Sequence, residues 1–90
     1  MVGSIVGTVI DEASKKPLAG VLIVATSPAL QGEQVVQTNA SGQYDVPALP
    51  PGEYKLQFTL DHYRNDTQKG VKVPNDHSVT VNISLLPEPI

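Results

Sequence analysis

Apolar residues stand at every second position in several short segments of the chain, and turn-forming residues separate these segments. The clearest segment is 53–60, in which Tyr54, Leu56, Phe58 and Leu60 alternate with charged and polar residues. This alternation places the apolar side chains on one face of a β-strand. No window has the spacing of an amphipathic helix. The pattern therefore predicts an all-β fold.

Seven strands are predicted, roughly one every ten residues, with Gly, Pro, Asn or Asp between them. The second, VLIVAT, is apolar on both faces, which is typical of a central strand covered on both sides. Seven short strands with frequent turns favour a β-sandwich with Greek-key connections. The predicted strands are 4–10, 21–26, 34–38, 43–46, 53–60, 71–74 and 78–86.

The connections carry turn chemistry of their own. NASG at 39–42 predicts a β-hairpin that joins 34–38 to 43–46, with Gly42 at positive φ. PALPPG at 47–52 cannot donate most ladder hydrogen bonds, so we expect a crossing between sheets or a sheet edge there. Asp11 is expected to cap its own turn, and DHYRNDTQKG at 61–70 is interpreted as a polar connection.

Composition excludes several functional classes. The 90 residues carry a net charge of -3, and Lys15-Lys16 is the only adjacent basic pair, which argues against nucleic-acid binding. No apolar run reaches the roughly 20 residues of a membrane span. The absence of cysteine excludes disulfides, thiolate metal ligands and a cysteine nucleophile.

We expect a monomeric domain over residues 5–86, with 1–4 a linker or cloning remnant and 87–90 the start of a stiff linker.

TNASGQYD invites a calcium interpretation, with ligand oxygens from Asn39, Ser41 and Asp45. Calcium takes six to eight oxygens and usually several carboxylates, whereas only Asp45 is charged here. Asn39 is therefore predicted to cap a turn, and no metal or other cofactor is expected.

Two polar segments hold residues that could serve zinc binding or catalysis. They lie in connections and lack a spacing such as His-x-x-x-His, so we expect neither a metal site nor an enzyme. The tyrosines and Phe58 fall at predicted core positions, and there is no Trp to form a sugar-binding platform. Sequons occur at Asn39, Asn65 and Asn82. The residues weighed for zinc or catalysis are Asp61, His62, Arg64 and Asp66, with Asp76, His77 and Ser78. The aromatic residues assigned to the core are Tyr44, Tyr54, Tyr63 and Phe58.

Four motifs in order resemble the carboxypeptidase regulatory-like domain, whose fold is a transthyretin-like, immunoglobulin-like sandwich. They are GTVID at 7–11, PLAG at 17–20, TNASGQY at 38–44 and LPPGEY at 49–54. The family usually has Asp at the position of Asn39. The likeness extends over residues 5 to 86.

The resemblance implies a non-catalytic accessory module: a spacer or docking domain in a larger exported chain, such as the N-terminal extension of a TonB-dependent receptor. It implies a periplasmic, outer-membrane-associated or extracellular location. The expected partners are neighbouring domains or another protein, bound through an edge strand such as VKVP at 71–74. The alternative is loop-mediated binding of calcium, carbohydrate or another ligand in a secreted enzyme or adhesin.

Two related sandwiches make different predictions. Hydroxyisourate hydrolases end in Tyr-Arg-Gly-Ser, but this chain ends SLLPEPI, and its YRND at 63–66 is misplaced. Collagen-adhesin repeats carry a Lys–Asn isopeptide bond between the first and last strands. Here Val9 stands at the lysine position and only Asn82 is present, so this bond is not expected.

Overall fold

The computed structural model describes residues 3–88, and in that range the chain forms eight β-strands and no helix. The strands are β1 (Gly3–Asp11), β2 (Leu22–Thr26), β3 (Glu33–Gln37), β4 (Gln43–Leu49), β5 (Gly52–Thr59), β6 (Asp66–Val73), β7 (Ser78–Thr80) and β8 (Ile83–Leu85).

The strands form two four-stranded sheets that pack face to face. In the first sheet, β1 lies between β4, which is antiparallel to it, and the successive strands β7 and β8, which are parallel to it. The second sheet has the order β3-β2-β5-β6 and is antiparallel throughout. This arrangement confirms the predicted all-β sandwich. The described residues include no helical segment that could span a lipid bilayer.

The last predicted strand is divided, which is why there are eight strands rather than seven. β7 and β8 have the same register against β1, since Val6 faces Thr80 and Val9 faces Ile83. Between them the ladder is replaced by a side chain: the Asn82 amide oxygen accepts the Thr8 backbone N–H at 3.1 Å. A side-chain substitute of this kind leaves no trace in an alternating apolar pattern.

The predicted hairpin at 34–46 is wrong. β3 pairs with β2, and β4 pairs with β1 in the other sheet, so the chain changes sheets at 38–42. Buried Thr38 fixes the departure, because its hydroxyl donates to the Leu18 carbonyl and accepts the Val21 N–H. Gly42 does have positive φ, 73°.

The polar segment 61–70 is not wholly a connection, because β6 begins at Asp66. Leu56 of β5 pairs with Gln68, and the register then shifts before Tyr54 pairs with Val71. The shift coincides with Gly70, which has a φ of 69°, as expected of a β-bulge. The exposed face of this edge strand carries polar residues and the bulge interrupts the alternation, so the sequence pattern indicates only the end of the strand, VKVP.

PALPPG divides between two strands. β4 continues to Leu49 and places Pro47 in the strand at the edge of the first sheet, where a missing N–H leaves no ladder bond unmade. Residues 50–51 then carry the chain from the first sheet to β5 in the second, so both expectations for the segment, a sheet edge and a crossing between sheets, are confirmed.

The core lies between the two sheets and is built from the inward residues of most strands. Tyr44 and Phe58 meet edge to face, with ring centroids 5.8 Å apart and planes at 73°. On β2 the inward residues are fully buried, whereas outward-facing Leu22 and Val24 are only partly buried, so one face of that strand is not fully covered. The core residues are Ile5, Val9, Val21, Ile23, Ala25, Tyr44, Val46, Leu49, Tyr54, Leu56, Phe58, Val73, Ile83 and Leu85.

Tyr54 closes the LPPG corner, as the sequence predicted. Its ring is buried, and its hydroxyl donates to the Pro50 carbonyl at 2.6 Å. Tyr54→Phe is expected to lower the free energy of unfolding by about 1 kcal/mol, since it removes one hydrogen bond and keeps the packing. Urea denaturation measures this loss. A change below a few tenths of a kcal/mol would show that the bond does not hold the corner.

Candidate functional site

The first cluster of polar side chains joins the 11–16 turn to the 61–64 loop. The Asp11 carboxylate accepts the Ala13 and Ser14 N–H groups through Oδ1, which is the predicted cap. Its Oδ2 accepts the Tyr63 hydroxyl at 2.5 Å. The half-buried Tyr63 ring packs against the edge of the core. The cluster therefore ties two connections together, and the Asp11 carboxylate has partners on both oxygens.

The same contacts perturb the acidity of both groups. The Tyr63 hydroxyl, followed by the Ser14 N–H, holds the pKa of Asp11 below its ordinary value of 3.8. The hydrogen bond to Asp11, with desolvation, raises the pKa of Tyr63 above 10.0. Since the folded pKa of Asp11 is lowered, its ionised form stabilises the fold above the unfolded value, and this contribution is lost as pH falls through the folded pKa.

Tyr63→Phe is expected to destabilise the domain at neutral pH, and its deficit against wild type is expected to shrink as pH falls below about 3.8. The measurement is urea denaturation at a series of pH values between about 7 and 2. Tyr54→Phe is the matched control, because the partner of its hydroxyl is a carbonyl that does not titrate. If the loss of unfolding free energy in Tyr63→Phe were as independent of pH as the loss in Tyr54→Phe, the link between the Tyr63 hydroxyl and the ionisation of Asp11 would be contradicted.

The two histidines weighed for zinc or catalysis lie near opposite ends of β1. The His62 carbonyl accepts the Glu88 N–H, and neighbouring Tyr63 contacts Asp11 at the C-terminal end of β1. The His77 carbonyl accepts the Ser4 N–H at the start of the same strand. Ser4 and Asp11 are seven residue steps apart along the extended strand, about 23 Å. Asp61, Arg64 and Asp66 lie in and beside the first loop and Asp76 and Ser78 beside the second, so the fold does not bring the two sets together.

The candidate calcium ligands at 39–45 serve the turn instead. The Asn39 amide oxygen accepts the Ser41 N–H at 2.9 Å and the Gln43 N–H at 3.0 Å, which is the capping role predicted for it. Asp45 points outward from β4 and is exposed. Across residues 3–88, no three His, Cys, Asp or Glu side chains gather in a group that could hold a metal ion.

The backbone at Val81 packs closely against β1 at Gly7, and we call this contact the Gly7 junction. The Val81 carbonyl packs against Gly7 and accepts the Tyr44 hydroxyl at 2.6 Å. Burial raises the pKa of that phenol well above its ordinary value. Asn82 next to it accepts the Thr8 hydroxyl at 3.2 Å as well as the Thr8 N–H. Because its amide oxygen is held by β1, we interpret Asn82 as a structural residue.

The aromatic side chains offer no flat surface for a sugar ring. Tyr44, Tyr54 and Phe58 are at most 4% exposed, and Tyr63 is half-buried. The depression of about 560 Å³ beside Gly7 is open and shallow, and exposed Gln43 and Asp45 contribute to its wall. An open polar depression of this kind lacks the apolar enclosure of a small-molecule site.

The sheet edges remain as candidate contact surfaces, and they differ in how they are protected. The β4 edge carries Pro47 and a register shift, and the β6 edge carries Lys69, Lys72 and the bulge at Gly70. β7 and β8 are only three residues each. Proline, lysine, bulges and short length are the usual protections of an edge. β3 has none of them, and the predicted hairpin with β4 would have covered this edge.

The sequence did contain one signal of the β3 surface. Two adjacent valines, Val35 and Val36, cannot both face the core of a sandwich, because successive side chains in a strand point to opposite faces. In the structure Val36 packs against the core and Val35 is 48% exposed.

Comparison with known families then assigns the chain. The model of the carboxypeptidase regulatory-like domain matches residues 4–86. The chain belongs to this family. The match extends over both sheets and includes the Gly7 junction, the capped turn at Asn39 and the Tyr54 corner.

A curated relative of this carboxypeptidase regulatory-like domain is the TonB-dependent transporter Oar of Myxococcus xanthus. The two are 45% identical over 85 residues, which is 94% of this chain and 8% of the relative. The chain therefore spans less than a tenth of the length of that transporter.

Solved structures of low sequence identity share the fold. The Bacillus anthracis TIE protein superimposes with a TM-score of 0.80 at 20% identity, over 96% of this chain and 16% of that one. The 5-hydroxyisourate hydrolase of Klebsiella pneumoniae gives 0.70 at 15% identity, over 97% of this chain and 92% of that one. An enzyme thus shares this fold. At these identities the likeness concerns the fold alone.

Proposed function

We propose that this carboxypeptidase regulatory-like domain is a non-catalytic accessory module of a larger exported or outer-membrane protein of the TonB-dependent transporter kind. The observation that carries the proposal is the 45% identity to a segment that makes up 8% of such a transporter. So short a segment fits a separately folded unit attached to the transport machinery. The proposal places the domain in the periplasm, at the outer membrane or outside the cell.

The contacts of the polar side chains support a non-catalytic role. Catalysis needs a nucleophile, base or acid positioned together and free to reach a substrate. Here the polar side chains with well-defined partners form hydrogen bonds within the domain. Asp11 and Asn39 cap turns, and Asn82, which precedes β8, accepts a backbone N–H of β1. The hydroxyls of Tyr44 and Tyr54 donate to backbone carbonyls.

An amide NMR comparison tests the role. The spectrum of residues 1–90 is recorded alone and joined to the segment that follows Ile90 in the parent protein. Shifts confined to one edge or loop cluster are expected of a docking module, and an unchanged spectrum is expected of a spacer.

Recovery of the parent protein from the cytosolic rather than the membrane fraction of lysed cells would contradict the proposed location. Loss of a detected turnover after combined replacement of His62 and His77 would contradict the non-catalytic role.

The alternative is calcium or small-ligand binding through the loops, and calorimetry separates it from the accessory role. Because the Asn39 amide oxygen already accepts two N–H groups, we expect no heat from calcium at millimolar concentration. A saturable heat that Asp45→Asn abolishes would instead support calcium binding.

A further inference from the structure

We propose that the β3 edge, Glu33–Gln37, pairs with the same strand of a second copy of this chain, antiparallel and centred on Val35. Within residues 3–88, β3 pairs only with β2, so its other side is an open edge of the second sheet. It is also the one edge among these residues with no proline, lysine or bulge and more than three residues.

The backbone of β3 sets which residues a partner strand would meet. The Thr38 N–H donates to the Val21 carbonyl, one step beyond the pairing of Gln37 with Leu22. Hydrogen-bonded pairs alternate along an antiparallel ladder, so Val36 and Gln34 also bond toward β2. The N–H and C=O groups of the remaining residues, Glu33, Val35 and Gln37, therefore point to the open edge.

A strand centred on Val35 is self-complementary in this geometry. Val35 faces Val35 of the second copy, and Glu33 faces Gln37, so the outward donors and acceptors meet and no like charges stand opposite each other. The two β3 strands then join the second sheets of both copies into one continuous sheet.

The side chains on the outer face of the sheet also favour a second copy of this chain as the partner of β3. Val35 lies beside Val24 on the outer face of the sheet, and Val24 is only partly buried. Pairing about Val35 places the two exposed Val35 side chains next to each other. The pair of Val24 and Val35 in each copy then becomes part of a row of four valines across the joined sheet. The row removes from water a side chain that is 48% exposed in the single chain.

The contact is weak by its size. A five-residue strand buries far less than the roughly 1,200–2,000 Å² of stable complexes. Monomers therefore predominate in dilute solution, in keeping with the expectation from the sequence, and pairing is populated at high local concentration. This inference does not depend on the proposed function.

Single-cysteine variants test the register, because the natural chain has no cysteine. Val35→Cys places two thiols directly opposite each other, within the Cα separation of about 4.4–6.8 Å that a disulfide spans. At millimolar protein under mild oxidation, we expect it to form a covalent dimer at least tenfold faster than Gln37→Cys. Position 37 also lies on β3, but it faces position 33 of the second copy. The two cysteines at position 37 would therefore be about 13 Å apart along the strand direction. Leu86→Cys, at a residue 51% exposed, reports random collision. Equal rates for the three variants would overturn the proposal.

Concentration-dependent amide NMR tests the occupant without cysteine. On raising wild-type concentration from micromolar to millimolar, shifts are expected at 33, 35 and 37, and Val35→Glu is expected to abolish them by opposing two carboxylates. Thr67→Glu on β6 is the control and leaves them unchanged. Shifts at β6 instead, or shifts at β3 that appear only when another segment of the parent protein is added, would overturn pairing with a second copy.

Discussion

Gly7→Ala is expected to destabilise the domain by about 3 kcal/mol, one of the two largest effects we predict for single substitutions. An alanine Cβ at this position would lie 1.9 Å from the Val81 carbonyl oxygen, where no contact is tolerated. The obstacle is backbone, so a side chain cannot rotate away from it. Displacing Val81 also removes the acceptor of the buried Tyr44 hydroxyl. Urea denaturation monitored by circular dichroism measures the loss.

Gly20→Ala is the matched control for Gly7→Ala. Gly20 has a φ of 75°, but no atom lies within 4 Å of the added Cβ, so the cost comes only from the left-handed backbone, about 1 kcal/mol. Equal losses for the two variants would contradict the steric explanation. The double variant Gly7→Ala with Tyr44→Phe adds a check. If Val81 is already displaced, removing the hydroxyl costs less than it does in wild type.

Phe58→Ala is expected to cost about 4 kcal/mol and to leave little of the stability of a 90-residue domain. Phe58 is completely buried on β5, between β2 and β6, and its ring meets Tyr44 of the opposite sheet edge to face. Truncation therefore leaves a cavity between the sheets and removes an aromatic contact across them. Thermal and urea unfolding measure the loss.

Phe58→Leu separates the cavity from other consequences of the change. It keeps most of the volume and the alternation of β5, and we expect it to cost much less than alanine, about 1–2 kcal/mol. Val35→Ala, at an exposed position, is the surface control and is expected to change stability by less than about 0.5 kcal/mol. A Phe58→Ala loss no larger than that of Phe58→Leu would contradict the cavity as the cause.

Much of the candidate chemistry could be judged from the sequence because it depends on contacts within one turn. The caps made by Asp11 and Asn39 bond N–H groups two to four residues away, a distance over which residue type and spacing decide the outcome. The bond from Tyr63 to Asp11 spans 52 residues, and nothing in either segment indicates the other. Separation of the two histidine loops likewise depends on which ends of β1 they reach.

The sequence by itself determined the fold class, the inward faces of the strands and the positions of most turns, because alternation and turn chemistry are local. Only the tertiary structure decided which strands pair. The turn at 38–42 is compatible with a hairpin, but buried Thr38 bonds to Leu18 and Val21 and carries the chain to the other sheet. That choice leaves β3 at an open edge and exposes Val35. Strand pairing joins residues far apart in the chain, so it depends on the packing of the whole sandwich and not on the segment that pairs.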